Sequence, residues 1–351
     1  MKYKQDVVEA ICREIELRKE YLPKEKLASI YFGGGTPSVL SAKELDQIFE
    51  HLDQYHQWDL DTEITLEANP DDLTPSKLSE LAASPVNRLS IGIQSFDEAD
   101  LRYMNRAHNA AEAHRCIVAA QDVGLSNISA DLIYGSPTTS DQTWRENIGK
   151  MLELDIAHIS AYALTVEEGT ALHHQVANGK SQPVDDVKAA RQFQILIDQL
   201  RDGGYDHYEI SNFAKPEHYA VHNSNYWLGK PYLGIGPAAH SFDGHRTRSW
   251  NIAHNPKYVT AISDDTLPIQ HETLSDIDAY NEFVLIRLRT IWGINTQELQ
   301  EKFGRKADHF KKKIQQFIDT GLVSVDGSIY RLTDQGKMMG DKISMEVFDE
   351  E

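Results

Sequence analysis

The sequence is short of cysteine: 351 residues contain two. Cys12 and Cys116 stand alone in helical patterns among apolar neighbours. That excludes a disulfide framework and a cysteine-knuckle metal site, and leaves two small buried side chains in a reducing compartment. Long apolar runs are also missing. The longest are of strand length, so no transmembrane helix is expected. The start, Met1-Lys2-Tyr3-Lys4-Gln5-Asp6, lacks the apolar stretch of a signal peptide. A cytoplasmic protein is expected, with peripheral membrane contact left open. Basic residues are outnumbered, 35 Lys and Arg against 54 Asp and Glu, for a formal charge of −19. A surface this acidic repels phosphate backbones and disfavours nucleic acid as a partner. Neither a Gly-Lys-Ser/Thr phosphate loop nor a G-x-G-x-x-G helix opening occurs, and there is no internal repeat.

What is present is an alternation. A helix pattern runs from Val7 to Leu22 and is stopped by Pro23. Short β-rich runs follow at Ser29–Phe32, Glu63–Leu66, Arg88–Ile93, Asn127–Ile133 and His158–Ala163, with a sixth apolar run at Tyr208–Ile210. Helices with start signals lie between them: a capping box at Ser41-Ala42-Lys43-Glu44, Thr74-Pro75, Ser140, and a long helix from Asp185 to Leu200 before Gly203-Gly204. A period of roughly 30 residues implies parallel βα units. Polar residues gather after nearly every strand run, as at the C-terminal rim of a barrel, whereas an open sheet would concentrate them at one switch point. The expected fold class is α/β, a partial parallel TIM-type barrel over residues 1–210. Residues 211–270, rich in Asn, His, Pro and Gly with interleaved aromatics, read as a structured connecting segment. Residues 271–351 read as a winged-helix-like unit whose hairpin turns at Asp326-Gly327. With 11 basic against 15 acidic residues there, the unit suits packing or a lid better than DNA.

Gly33-Gly34-Gly35-Thr36-Pro37-Ser38 is the strongest local signal. A tight βα turn needs one glycine; three allow close approach of a ligand to exposed backbone N–H groups. A small zwitterion fits this loop better than a phosphate. Glu67, Gln94, Arg106 and Asp131 form a polar set on successive units. Asp131 interrupts an apolar strand, where an unpaired charge is expensive, and a pairing with Arg106 is open. Carboxylates suit ribose hydroxyls and a bidentate Arg suits a ligand carboxylate. The set therefore suits a nucleoside attached to an amino acid.

Gly-Gly-Gly-Thr-Pro-Ser, Leu-Glu-Ala-Asn-Pro, Asn-Arg-Leu-Ser-Ile-Gly-Ile-Gln-Ser-Phe, Asn-Arg-Ala-His and Asp-Leu-Ile-Tyr-Gly-Ser-Pro resemble, in order, the motifs of the HemN/HemW branch of the radical S-adenosylmethionine (SAM) family. Tyr208–Ala214, His222-Asn-Ser-Asn-Tyr-Trp227 and Tyr232–Ser241 resemble its HemW side. The resemblance spans almost the whole chain. It implies that Gly34, Gly35 and Thr36 contact the methionine end of SAM, and that Glu67, Gln94, Arg106 and Asp131 line its other contacts. Thr165 and Ile235 would border the adenine. His222 would be the haem ligand. Its neutral imidazole is a good iron ligand beside the flat surfaces of Tyr226 and Trp227, and His240 and His254 compete for the role.

Family members carry Cys-x-x-x-Cys-x-x-Cys before a helix resembling Val7–Leu22, and these thiolates hold a 4Fe–4S cluster. The motif is missing here, so no cluster ligand is expected in this chain. The expectation is a start past the cluster loop and the first barrel strand, the alternative a natural cluster-free homologue. The implied function is a chaperone that binds haem, SAM and, in a full-length form, the cluster, and passes haem to an acceptor protein. The alternative is an oxygen-independent coproporphyrinogen oxidase, a radical decarboxylase of porphyrin biosynthesis. A barrel hydrolase lacks a nucleophile–base pair.

Overall fold

The computed structural model describes residues 3–350; Met1, on which the question of a start past the cluster loop turns, lies outside them. The chain forms two compact units. One comprises Tyr31–Val39 and Ile64–Ala220, the other the chain up to Ile30, Leu40–Glu63 and everything from Val221.

The apolar runs become seven strands: β1 (Ser29–Phe32), β2 (Glu63–Ala68), β3 (Arg88–Gln94), β4 (Ile128–Tyr134), β5 (His158–Ala163), β6 (Asp206–Glu209) and β7 (Asn212–Ala214). They form a curled half-barrel sheet in the order β1-β2-β3-β4-β5-β7-β6. Strands β2 to β5 pair in parallel. Leu66, Leu89, Ile91, Ile93, Ala130 and Leu132 are fully enclosed, as expected of a parallel sheet covered on both faces. The sixth run does not simply continue the series. Two residues separate β6 from β7, too few for a parallel crossover. The chain reverses instead, and β7 pairs antiparallel with both β5 and β6, so β6 lies at the sheet edge.

The start signals work locally. Thr74, Ser140 and Asp185 each accept a backbone N–H from their helix's first turn, a cap typically worth about 1 kcal/mol. Trp144 is fully buried and its indole N–H donates to the Gln192 carbonyl at 2.8 Å.

In the other unit the first helix spans Lys4–Leu17 and ends well before Pro23. Arg18 leaves the helix with its guanidinium turned inward, donating to the Gly234 carbonyl at 3.0 Å and to Ser241 Oγ at 3.1 Å. One turn earlier, Glu14 is completely buried. It accepts from the Gly236 N–H (2.8 Å), Asn251 Nδ2 (2.8 Å) and the Tyr258 hydroxyl (2.7 Å), and pairs with Arg18 at 3.3 Å. This helix packs on Ala42–Tyr55, which starts at the Ser41–Glu44 capping box, and on Asn255–Ser263.

The connecting segment is more regular than its composition suggests. It contains a helix, Val221–Trp227, and an antiparallel sheet of β8 (His240–Phe242), β9 (Thr247–Asn251) and β10 (Ile269–Thr273). Asp243 makes the β8–β9 turn, its Oδ1 accepting the N–H groups of His245, Arg246 and Thr247. Helices Asp276–Leu288, Thr296–Phe303 and Lys306–Asp319 then precede the hairpin of β12 (Val323–Asp326) and β13 (Ile329–Leu332), with the two-residue β11 (Ile294–Asn295) on its free side. Tyr280, Leu299, Phe310 and Ile314 form their shared core.

Candidate functional site

The glycine loop follows β1, and the first acceptor it meets is Glu67 near the end of β2. Glu67 Oε1 receives the Tyr31 hydroxyl at 2.7 Å, and Oε2 receives the Gly34 N–H at 3.2 Å. Burial and Glu67 both push the Tyr31 phenol far above its ordinary pKa, so it stays a donor. Gly33 is the position where bulk is forbidden. A Cβ there would lie 2.4 Å from a Tyr31 ring carbon and 2.8 Å from Glu67 Oε1. Gly34 needs glycine for its φ of +77°, whereas Gly35 has open space.

Two strands on, β3 ends in a bulge against β4, and Gln94 takes a φ of +66°. A bulge re-aims the side chain it carries. Gly92 leaves room for Gln94 Nε2 and Arg106 Nη2, which a Cβ would approach to 2.9 and 3.3 Å. Arg106 Nη2 donates to Asn69 Oδ1 (2.8 Å) and to the Gly92 carbonyl (3.2 Å). The Arg106–Asp131 pairing that the sequence left open does not form; Asn69, just after β2, takes the guanidinium. Arg106 Nε is buried without a partner among the described residues. Its open donor capacity suits a ligand carboxylate, and the exposed glycine backbone beside the Glu67 carboxylate suits an ammonium or hydroxyls. The residues present thus fit a nucleoside-bearing amino acid such as SAM.

Asp131, on β4, keeps a little exposed surface, but loss of water pushes its carboxyl up to about 7, with the Glu67 charge adding and a Ser160 hydrogen bond opposing. The folded state therefore holds a proton that the unfolded chain has released between about pH 4 and pH 7, and stability falls as pH rises through that window. Asp131→Asn is expected to exceed the wild type in stability at about pH 8 and to lose that advantage near pH 4. Urea midpoints at the two pH values measure it; an equal difference at both would disprove the proton linkage.

Thr165 lies beyond β5, exposed, its hydroxyl turned to the Ala163 carbonyl at 3.4 Å. Ile235 belongs to the other unit, half-buried in the Gly234–Gly236 loop. Glu67 with Gly34 therefore forms one contacting set and Asn69, Arg106 and Gly92 another, with Gln94 Nε2 beside Gly92 and Asp131 near enough to feel Glu67; Thr165 and Ile235 belong to neither set. Tyr31 and Asn69 were missed as site residues, although Asn69 belonged to the polar run after β2.

In the other unit, Glu63 reaches the start of helix Val221–Trp227, its two carboxylate oxygens accepting the Val221 and His222 N–H groups, each at 2.9 Å. Those N–H groups have no partner within a helix. His222 Nδ1 contacts Ser29 Oγ at 2.9 Å, and its ring stands edge-on to Tyr226, 4.9 Å between centroids. His254 has other work: its Nδ1 caps helix Asn255–Ser263. His240 is exposed and stacks on Trp250.

The cluster chemistry does not fit. Both cysteines are buried, and burial pushes the Cys12 thiol up to about 11 and that of Cys116 to about 12. Two protonated thiols in different units are not three thiolates. Among the described residues no three His, Cys, Asp or Glu side chains are grouped to hold a metal ion, and no helix is long and apolar enough to cross a membrane.

Residues 3–151 match the Radical SAM superfamily and residues 274–339 the HemN C-terminal domain. Coproporphyrinogen III oxidase (HemN) from Escherichia coli superimposes with a TM-score of 0.84 at 21% identity, over 99% of this chain and 84% of that one. The fold is therefore that of a radical SAM protein of the HemN kind, a class that implies SAM and a 4Fe–4S cluster. Heme chaperone HemW of Bacillus subtilis is 32% identical over 321 residues, 90% of this chain and 84% of that protein. Radical S-adenosyl methionine domain-containing protein 1, mitochondrial, of Mus musculus is 34% identical over 316 residues, 86% and 71% respectively. The chain belongs to the HemW family of radical SAM proteins.

Proposed function

We propose that this protein binds haem through His222 and delivers it to an acceptor protein, and that it holds SAM at the β1–β4 rim. Gly34, Gly35 and Thr36 would take the methionine end, Glu67, Gln94, Arg106 and Asp131 the rest, with Thr165 and Ile235 at the adenine. SAM is a methionine-linked nucleoside; among the described residues no group fits the cluster that radical chemistry on SAM requires. In this reading residues 1–210 carry the SAM side, 211–270 the haem side, and 271–351 a packing or lid module. Haem, an acceptor protein and a cytoplasmic setting are its partners and place.

The observation that carries the haem reading is the fixed orientation of His222. Ser29 holds Nδ1 and Glu63 anchors the first turn of the helix, while Tyr226 flanks the ring. Iron-ligating histidines are oriented in this way by a partner on the other ring nitrogen. Haem titration of the purified chain should shift the Soret band. His222→Ala should leave the spectrum of free haem, while His240→Ala should behave as wild type. A wild-type spectrum from His222→Ala would remove the assignment, and loss of the Soret shift in His240→Ala instead would relocate it.

A further inference from the structure

Beside His222, within the same unit, lies a cleft of about 190 Å³ whose walls include Tyr226, Trp227, Tyr232 and Phe242. Arg248 and Glu282 also line it. Rings connect it to the histidine: Tyr226, edge-on to His222, is also 4.5 Å from Tyr232, which is 6.2 Å from Phe242. A pocket that encloses a small ligand usually measures roughly 300–1,000 Å³. This cleft is smaller, the size for one edge of a larger flat molecule rather than the whole of it.

The polar groups show which edge. Arg248, on β9, forms an ion pair with Glu282 from helix Asp276–Leu288, and lies 3.8 Å from Glu272, its cross-strand neighbour on β10. Glu272 does not line the cleft; Glu282 does. The Arg248 and Glu282 side chains are 35% and 24% exposed. An ion pair this open to solvent is held only weakly, so a ligand carboxylate can displace Glu282 from the guanidinium at little cost. The guanidinium fork is built for a carboxylate.

We infer that Arg248 is the anchor for a carboxylate on the rim of the macrocycle bound at His222, with Glu282 occupying that anchor until the ligand's carboxylate replaces it. The inference rests on the haem reading and adds a specificity determinant: tetrapyrroles with free propionates are preferred over their esters. Glu282 is then a competitor, and this fixes two effects of opposite sign.

Haem and haem dimethyl ester are titrated into the full chain and into Arg248→Gln and Glu282→Gln, followed by the Soret band. Arg248→Gln is expected to weaken haem binding roughly tenfold, the effect of one charge-assisted hydrogen-bond pair, and to leave ester binding unchanged. Glu282→Gln is expected to tighten haem binding several-fold. If both variants weaken haem and ester alike, the ion pair is merely structural and the anchor is refuted. Unchanged haem affinity in Arg248→Gln, with His222→Ala still losing the Soret shift, refutes the anchor and leaves the haem reading standing. No Soret shift in the wild type removes both.

Discussion

Glu14→Ala is expected to lower the unfolding free energy by about 3–5 kcal/mol, because it removes one partner of a buried charge pair. Glu14 and Arg18 are both buried. Without the carboxylate, Arg18 keeps two neutral acceptors, the Gly234 carbonyl and Ser241 Oγ. The Gly236 N–H, Asn251 amide and Tyr258 hydroxyl lose the acceptor on which they converge. Tyr258→Phe removes one donor only and is expected to cost about 1 kcal/mol. Guanidinium titration of the three proteins distinguishes a hub from a set of independent contacts. A Glu14→Ala loss no larger than that of Tyr258→Phe would refute the hub. The network also pins the Gly234–Gly236 loop to the first helix.

That network was invisible in the sequence, and the reason is physical. Glu14 sits in a helix pattern where a carboxylate ordinarily faces solvent, and its partners come from residues more than 200 positions away. What could be read was local. The parallel strands announced themselves as continuous β-rich runs. Ser29–Phe32 and His158–Ala163 form with the expected limits, and Ser41, Thr74 and Ser140 cap where their side chains predict. The C-terminal helices and the Asp326-Gly327 hairpin were legible for the same reason. The antiparallel insertion of β7 was not, since three residues of strand carry no periodicity. The β8–β10 sheet was not either. Its strands are short, β10 is exposed along its whole length, and edge strands of this kind lack the apolar alternation that marks a half-buried strand.

The candidate site divides along the same line. Glu67, Arg106 and the glycine loop were recognisable as residue types in place, at strand ends and in family order. The contacts among them were not. Asn69, rather than Asp131, takes Arg106, because β2 ends directly beside β3, whereas Asp131 lies within β4. His222 gained support from Ser29 and Glu63, neither of which any local pattern connects to it.

Gly33→Ala is expected to reduce SAM binding on the order of a hundredfold, the upper end for the loss of one hydrogen bond to a charged group. The methyl group would sit 2.4 Å from the Tyr31 ring and 2.8 Å from Glu67 Oε1. One of the two must move, and either movement breaks the Tyr31–Glu67 bond or the Gly34–Glu67 bond that shape the loop. The neighbouring glycines make the control. Gly34→Ala meets no atom but must hold a φ of +77°, a strain of roughly 1–2 kcal/mol for a residue with a side chain. Gly35→Ala meets no atom and carries no such angle, so its effect on folding should be small. Equilibrium dialysis with labelled SAM, alongside thermal melts, separates loop shape from stability. The order of SAM loss should be Gly33 above Gly35, with the Gly34 variant losing stability as well. If Gly33→Ala binds SAM within threefold of wild type, the glycine loop is a turn and not a cradle, and the SAM site must be sought among the other strand ends.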